Sequence, residues 1–333
     1  MANLEFPRIS VSLSRCSDEG RMVEMKSYSL DEIPPGHRSG FTAVVGRPNV
    51  GKSTLVNHIV GQKVAIVSSK PQTTRSRILG ILTREDAQVI FVDTPGLHRP
   101  RHKLDQAMVA IATSAIPDAD AVLFVADVSV PPTAEDRMIG ELIRKQTEAP
   151  VILVLNKMDL LPPDKVKLHT EAYWELVPYH QEWMMTIATE GVNLDKLLAL
   201  IIAMLPEGPR YYPGDQVTDQ TERQIAAELV REQVLRYTRQ EVPHAVAVVV
   251  EEFKERENGV VYVGANVFVE KDSQKGIIIG RKGQMLRQIG SAARGEIERM
   301  TGGQVYLDLW VKVRKGWRRD ERELRRLGYV EGG

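Results

Sequence analysis

The stretch GRPNVGKS at residues 46–53 decides the fold of the first part of this chain. It has the GxxxxGK(S/T) spacing of a phosphate-binding loop, and it lies between the apolar run 41–45 and a predicted helix at 53–60. Its glycines let backbone N–H groups approach a phosphate, and the start of the helix adds partial positive charge. The spacing therefore predicts that Lys52 reaches the β- and γ-phosphates of a nucleotide and that the Ser53 hydroxyl binds Mg²⁺.

Apolar runs alternate with amphipathic stretches on both sides of this loop. Strands are predicted at 41–45, 78–82, 88–92, 121–126 and 151–155. Their alternation with helices predicts an α/β domain over residues 39–205, with a mostly parallel sheet that is covered by helices on both faces. Because only a short turn joins 78–82 to 88–92, these two strands are expected to form a hairpin, which puts one antiparallel strand in the sheet.

Two further motifs each follow a predicted strand. In DTPG at 93–96, the Asp93 carboxylate can hold Mg²⁺ and the Gly96 N–H can sense a γ-phosphate. In NKMD at 156–159, the Asp159 carboxylate can accept hydrogen bonds from N1–H and the 2-amino group of guanine, a pairing that adenine does not offer. In this order after a phosphate loop, the two motifs predict a guanine-nucleotide site.

The chain beyond residue 205 has a different order of elements. A linker is predicted at 206–220, followed by a helix at 221–239, strands at 245–253 and 260–270, helices on both sides of 280–283, and a strand at 304–313. The GRKG stretch at 280–283 is a GxxG step, the loop with which a KH domain approaches an RNA backbone. We therefore predict an α+β type II KH domain over 221–330.

Charge is divided unevenly along the chain. The 44 basic and 44 acidic side chains balance, yet residues 271–330 carry 15 basic and 7 acidic ones. Such a segment can meet phosphate, although a solvated helix face has the same composition. For the basic run 315–326, a phosphate clamp on RNA and a solvated helix both remain open. Trp310 is predicted to pack on helices of its own domain, with stacking on a base as the alternative.

The amino-terminal residues 1–38 show no sustained periodicity and are predicted to form a flexible extension. They contain Cys16, the single cysteine of the chain, which has no partner for an internal disulfide. No apolar run approaches the ~18 residues of a membrane span, and the first residues do not resemble a signal peptide. These features predict a soluble, cytoplasmic protein.

The loop at 46–53, the TTR segment at 73–75, DTPG, NKxD and the GxxG step together resemble the Era GTPases of the TrmE-Era-EngA-like superfamily. The resemblance covers about residues 39–330 and implies a slow GTPase that uses GTP or GDP with Mg²⁺. It further implies a monomer that binds the 3′ end of 16S rRNA and assists 30S subunit assembly and rRNA maturation, with a possible peripheral contact at the inner membrane. A GTPase that acts on tRNA or on a membrane-surface partner is the alternative.

The resemblance also assigns roles in hydrolysis. In translation-factor-related GTPases a threonine of this region ligates Mg²⁺ only when the γ-phosphate is present, which implies Thr74, with Thr73 as the alternative. Leu97 stands where Ras-type enzymes have a glutamine that orients the attacking water. Asn49 stands where some relatives hold K⁺, so assistance by K⁺ and a loop-capping role both remain open.

The base-proximal loop departs from the family pattern. It reads IATEG at 187–191, where relatives have a serine in place of Ile187. Ala188 is still implied to donate its N–H to guanine O6. The predicted nucleotide-binding residues are thus Gly46, Asn49, Val50, Gly51, Lys52, Ser53, Thr54, Asp93, Asn156, Lys157, Asp159 and Ala188. The predicted catalytic residues are Lys52, Thr74 and Gly96, the metal ligands Ser53, Thr74 and Asp93, and the RNA-binding residues Gly280, Arg281, Lys282 and Gly283.

Overall fold

The computed structural model of the chain describes residues 34–330 apart from Ser69, Pro71 and Gln240. Most of the predicted flexible extension, together with Cys16, therefore lies outside the described residues. Separate hydrophobic cores form on the two faces of a large sheet and beneath a smaller second sheet. Within the described residues, none of the helices combines the length and the apolar character that crossing a membrane requires.

The large sheet has the predicted α/β architecture. Its strands are β1 (Arg38–Val45), β2 (Ile78–Thr83), β3 (Ala87–Asp93), β4 (Ala121–Asp127), β5 (Val151–Asn156) and β6 (Glu182–Thr186), in the order β2-β3-β1-β4-β5-β6. β2 and β3 pair as the expected antiparallel hairpin, and the other neighbouring strands are parallel. The sequence analysis missed β6, since this edge strand is largely exposed and has no alternating apolar pattern.

Helices cover both faces of this sheet. They are α1 (Lys52–Val60), α2 (Lys103–Ser114), α3 (Ala134–Gln146), α4 (Val166–Leu176) and α5 (Leu194–Met204). Buried residues of α1 and α5 form the core on one face, and those of α2, α3 and α4 lie on the other. Because β1, β3 and β5 run in the same direction, their carboxyl ends bring the phosphate loop, DTPG and NKxD to one edge of the sheet.

The carboxy-terminal domain has the α+β order expected of a KH domain. It comprises α6 (Glu222–Tyr237), α7 (Val242–Ala245), β7 (Ala247–Glu255), β8 (Val261–Val269), α8 (Asp272–Ile279), α9 (Gln284–Thr301) and β9 (Val305–Val313). β8 is the central strand, antiparallel to β7 and parallel to β9. The prediction for Trp310 was wrong: β9 turns this side chain away from the helices, and 44% of it is exposed.

The predicted linker at 206–220 is attached to the first domain along its length. Gln88 Nε2 donates to the Tyr212 carbonyl at 2.8 Å, and Ile81 N–H donates to the Val217 carbonyl at 2.8 Å. The Asp219 carboxylate accepts from Leu79 N–H at 3.2 Å. These bonds limit the freedom with which the two domains can reorient.

The carboxy-terminal segment returns to the first domain. Trp317 and Leu324, the latter in α10 (Glu321–Arg326), pack with Leu104 and Met108 of α2. Two arginines of the basic run are paired with glutamates: Arg318 with Glu270 and Arg325 with Glu321. The Arg325–Glu321 pair is exposed along α10, whereas the Arg318–Glu270 pair lies before this helix and is mostly buried. The apolar packing joins the domains at a second place.

Candidate nucleotide site and nucleic-acid groove

The phosphate loop is held by close backbone contacts that only glycine permits. A Cβ at Gly46 would lie 2.2 Å from the Val125 carbonyl oxygen, and one at Gly51 would lie 2.2 Å from Asn156 Nδ2. Lys52 is buried, and its Nζ donates to the carbonyls of Gly46 and Arg47 at 3.1 and 3.2 Å. Burial lowers the pKa of Lys52 to about 8 against the opposing effect of Asp93. The lysine therefore lies across the loop that a phosphate would enter.

The three predicted metal ligands lie together beside this loop. Ser53 Oγ donates to Asp93 Oδ2 at 2.6 Å and lies 2.9 Å from Thr74 Oγ1. Asp93 is fully buried, and its Oδ1 has no hydrogen-bond partner among the described residues. Burial raises the pKa of Asp93 to about 6, opposed by Lys52 and the Ser53 hydroxyl. A buried carboxylate oxygen beside two hydroxyls is an oxygen-donor set that suits Mg²⁺.

The geometry distinguishes the two candidate switch threonines. Thr74 Oγ1 reaches Ser53, whereas Thr73 Oγ1 donates to the Lys70 carbonyl at 2.7 Å and closes a local turn. Thr74 is therefore the threonine that faces the metal ligands.

The segment after DTPG presents its backbone to the loop. Gly96 lies against Pro48, because a Cβ at this glycine would be 2.6 Å from Pro48 Cα. Leu97 is completely buried in the core, so its side chain does not face the phosphate loop. His98 instead joins the segment of Gln72 to the DTPG segment: Gln72 Nε2 donates to His98 Nε2 at 3.0 Å, and His98 Nδ1 donates to the Gly96 carbonyl at 2.8 Å. Neither side chain was predicted to have this role.

Asn156 connects the NKxD motif to the two neighbouring loops. Its Nδ2 donates to the Val50 carbonyl at 2.7 Å, and its Oδ1 accepts from Thr186 Oγ1 at 3.1 Å and from Ala188 N–H at 3.0 Å. The Ala188 N–H, predicted to donate to guanine O6, thus already has an acceptor in this structure. A guanine would share that N–H with Asn156, an arrangement that bifurcated bonds allow.

The other NKxD residues are oriented outward. Asp159 lies exposed in a short 3₁₀ turn (Met158–Leu160), and its carboxylate is accessible to a base. Lys157 adopts a left-handed conformation with φ of 63°, and its Nζ donates to Asp127 Oδ2 at 2.7 Å. This ion pair fixes the lysine stem beside the base-binding edge.

A cavity joins most of the predicted phosphate- and metal-binding residues. It is lined by Pro48, Asn49, Gly51, Lys52, Ser53, Thr54, Ile66, Val67, Ser68, Gln72, Thr73, Thr74 and Gly96. The side chains of residues 66–68 were not predicted to be part of the site, since they carry no motif of their own.

A second candidate site lies beside the GxxG step. Gly280 must be glycine, because its φ is +71° and a Cβ would lie 2.6 Å from Met285 Cβ. Arg281 and Lys282 are exposed at the tip. The step opens into a groove of about 450 Å³ between α9 and β9, lined by Gly283, Leu286, Arg287, Gly290, Ser291, Arg294, Leu307 and Leu309. The sequence analysis missed Arg287 and Arg294, although their seven-residue spacing places them on one helix face.

Comparison with protein families gives one match for each domain. Residues 41–157 match the family described as 50S ribosome-binding GTPase, and residues 241–318 match the KH domain family.

Individual relatives match both domains at once. GTPase Era of Heliobacterium modesticaldum is 48% identical over 294 residues, which cover 88% of this chain and 98% of that protein. A crystal structure of Era in complex with MgGDPNP and nucleotides 1506–1542 of 16S ribosomal RNA is 40% identical, has a TM-score of 0.85, and is matched over 88% of this chain and 99% of that one. An Aquifex aeolicus Era variant bound to GDP and AlF4⁻ is also 40% identical, with a TM-score of 0.84 and the same coverage.

Proposed function

Because the chain belongs to the Era family of GTPases, we propose that it is a GTP-hydrolysing switch that binds the 3′ end of 16S rRNA and assists 30S subunit assembly. The observation that carries this proposal is the presence, in one chain, of the phosphate cavity, whose Ser53 is bonded to the buried Asp93, and of the groove beside the GxxG step. A similar protein has been solved with MgGDPNP and a 16S rRNA segment together. We assign this activity to a monomer in the cytoplasm.

Hydrolysis at this site depends on positively charged and N–H groups that are positioned around the transferring phosphoryl group. A water oxygen attacks the γ-phosphorus, the bond from that phosphorus to the β–γ bridging oxygen breaks, and GDP and phosphate leave. Lys52 and the N–H groups of the phosphate loop stabilise the charge on the transferring group. Ser53, Thr74 and Asp93 would hold Mg²⁺, which would supply positive charge to offset the negative charge of the phosphates. Because Leu97 is buried, it cannot orient the water, and we expect slow intrinsic hydrolysis.

A monovalent cation is our candidate for the assisting charge. Asn49 lies in the phosphate loop with φ of 64° and lines the phosphate cavity, where its side-chain oxygen suits K⁺. Hydrolysis should then be faster in KCl than in NaCl at equal ionic strength, and Asn49→Ala should abolish the difference. Equal rates in the two salts for the unaltered protein would exclude this role for K⁺.

Guanine recognition rests on the exposed Asp159 carboxylate, supported by Lys157 and by the loop to which Asn156 is hydrogen-bonded.

RNA recognition rests on the groove beside the GxxG step. Arg281 and Lys282 carry charge for the RNA backbone, the glycines allow close approach, and Leu307 with its neighbours gives the groove an apolar floor. Single-stranded RNA fits such a groove better than a duplex does.

The test is binding of a fluorescent RNA that copies the 3′ end of 16S rRNA, compared with a scrambled RNA. Gly283→Asp adds an acid at the groove, and Gly259→Asp is a matched control outside the groove. Both glycines have similar φ, +75° and +74°, and at both a Cβ would have no described atom within 4 Å.

We expect selective binding that falls at least about tenfold in Gly283→Asp and persists in Gly259→Asp. Equal binding of the scrambled RNA, or unchanged binding by Gly283→Asp, would contradict the proposal. Assays with tRNA and with anionic lipid vesicles would then examine the alternative partners.

A further inference from the structure

The loop that carries Thr74 is attached to the KH domain at both of its ends. We call residues 66–75 the switch segment; Ser69 and Pro71 within it are not described. At its start, Ile66 is 3% exposed and packs in the core of the KH domain, and Val67 N–H donates to Glu232 Oε1 at 3.0 Å. Near its end, the Thr73 carbonyl accepts a hydrogen bond from Arg231 Nη2.

Both polar attachments come from adjacent residues of α6. Arg231 is completely buried, and Glu228 orients its guanidinium through contacts of 2.8 Å at Nε and 2.5 Å at Nη2. Glu232 is 7% exposed and also accepts from Lys63 Nζ at 2.5 Å. Because α6 is a regular helix packed on α9, these two side chains present fixed hydrogen-bonding groups to the switch segment.

The last residue of the switch segment enters the KH domain itself. Arg75 is 2% exposed, and its guanidinium donates to the carbonyls of Val246 at 2.6 Å, Pro243 at 3.2 Å and His244 at 3.3 Å. It also lies near the rings of Trp317 and Tyr329, at 5.8 and 5.7 Å from their centroids. The carbonyls at the end of α7 are natural partners for a guanidinium, since they accept no further intrahelical bonds.

Thr74 lies between these attachments. The backbone before it is bonded to Arg231, the side chain after it is enclosed in the KH domain, and its own hydroxyl lies 2.9 Å from Ser53 Oγ. The first domain thus supplies the metal-binding partners, whereas the second domain fixes where the threonine stands.

We propose that Arg231 and Arg75 are positioning residues for GTP hydrolysis, because they hold the Thr74 hydroxyl at the Mg²⁺ site from the side of the RNA-binding domain. This inference rests on the proposed GTPase function. Neither arginine contacts the nucleotide pocket, so both act through Thr74. A switch threonine contributes only when the γ-phosphate is present; these residues therefore support binding of GTP but not of GDP.

The effect of Arg231→Ala follows from this selectivity. The affinity for a non-hydrolysable GTP analogue should fall about tenfold while the affinity for GDP stays unchanged. The kcat for hydrolysis should fall about 10- to 100-fold, because a small misplacement of a positioned group is sufficient for such a loss. Arg231→Lys, which keeps a donor near the Thr73 carbonyl, should recover part of both losses.

The matched control is Arg223→Ala, the same substitution at an exposed position of α6. It should leave both affinities and kcat unchanged. Arg75→Ala leaves the pair of Arg231 with Glu228 intact and should reproduce the selective loss of GTP affinity. A low Tm would show that Arg231→Ala fails to fold. In that case Arg75→Ala still tests the inference.

A double-mutant cycle with Thr74→Ala separates positioning from general structural support. If Arg231 acts through Thr74, Arg231→Ala should not change the ratio of GTP-analogue to GDP affinity further in the Thr74→Ala background. Equal losses of GTP-analogue and GDP affinity, or additive effects on their ratio in the cycle, would overturn the inference. If the unaltered protein neither binds nor hydrolyses GTP, the proposed function fails instead, and the two failures are distinguishable.

Discussion

The phosphate loop and the switch segment face the same cavity but are held by different parts of the chain. The phosphate loop is fixed from within its own sheet, by the Val125 carbonyl and by Asn156. The switch segment is attached to α6, to α7 and to Val246 just after it, through contacts between residues 158 to 171 positions apart in the chain. On the proposed function, the loop contacts that GTP and GDP share belong to the first domain, as does Gly96, whereas Thr74, the threonine proposed to respond to the γ-phosphate, is held in place by the RNA-binding domain.

The largest expected effect comes from breaking the phosphate loop. Lys52→Ala removes the buried lysine that we propose stabilises the transferring phosphoryl group, and kcat should fall by about 10²- to 10³-fold in a phosphate-release assay. The exposed Lys145 at the end of α3 provides the control, since Lys145→Ala should hydrolyse GTP at the normal rate. Near-normal hydrolysis by Lys52→Ala would show that the loop does not carry the chemistry.

A second prediction tests whether the first domain alone stabilises the phosphate loop. Asn156→Ala removes a buried amide that contacts Val50, Thr186 and Ala188, and it leaves polar groups unpaired. The free energy of unfolding should fall by about 2–4 kcal/mol in urea titrations. The substitution should also weaken GTP and GDP binding alike, in contrast with the selective loss expected at the switch segment. A loss confined to GTP would contradict this distinction.

A third prediction concerns the groove beside the GxxG step, which shares no lining residue with the phosphate cavity. Arg287→Ala should weaken binding of the 16S 3′-end RNA by about 1 kcal/mol. The slope of the logarithm of the binding constant against the logarithm of the salt concentration should become shallower by about 1. Intrinsic GTP hydrolysis without RNA should be unaffected, because Arg287 lines the groove between α9 and β9 and does not line the phosphate cavity. A change in intrinsic kcat would show that the groove and the cavity are not separate sites.

The smallest effect concerns an attachment of the switch segment to its own domain. Gln72 Nε2 donates to Asp105 Oδ1 at 2.9 Å, and Asp105 Oδ2 accepts from the N–H groups of Arg101 and His102 at the start of α2. Burial pushes the pKa of Asp105 upward, but these N–H groups more than offset it and hold that pKa below the ordinary 3.8.

Asp105→Ala should therefore cost about 1 kcal/mol of stability at neutral pH. A carboxylate with a lowered folded-state pKa stabilises the protein above its ordinary pKa, and this contribution disappears as the pH falls through the lowered value. Thermal unfolding of the unaltered protein and of Asp105→Ala at several pH values measures the difference in their stability. A difference that grows toward acid pH would contradict the assignment.

The motifs of the first domain could be predicted from the sequence because each consists of a few consecutive residues. GRPNVGKS, DTPG and NKxD each follow an apolar run, and the alternation of runs predicted the sheet and its hairpin. The edge strand β6 escaped prediction because edge exposure removes the apolar signal. The attachment of the switch segment to α6 could not be predicted either. Arg231 is buried by residues that are distant in sequence, whereas an arginine beside acidic residues in a helix is typical of a solvent-exposed helix face.

Coupling of the KH domain to the nucleotide site through the switch segment predicts that RNA affinity depends on the bound nucleotide. This dependence is measured as the affinity of the 16S 3′-end RNA with a GTP analogue and with GDP, in the unaltered protein and in Arg231→Ala. We predict binding about tenfold tighter with the GTP analogue in the unaltered protein and equal binding in the variant. Equal affinities in the unaltered protein, or a preference that survives in Arg231→Ala, would contradict the account.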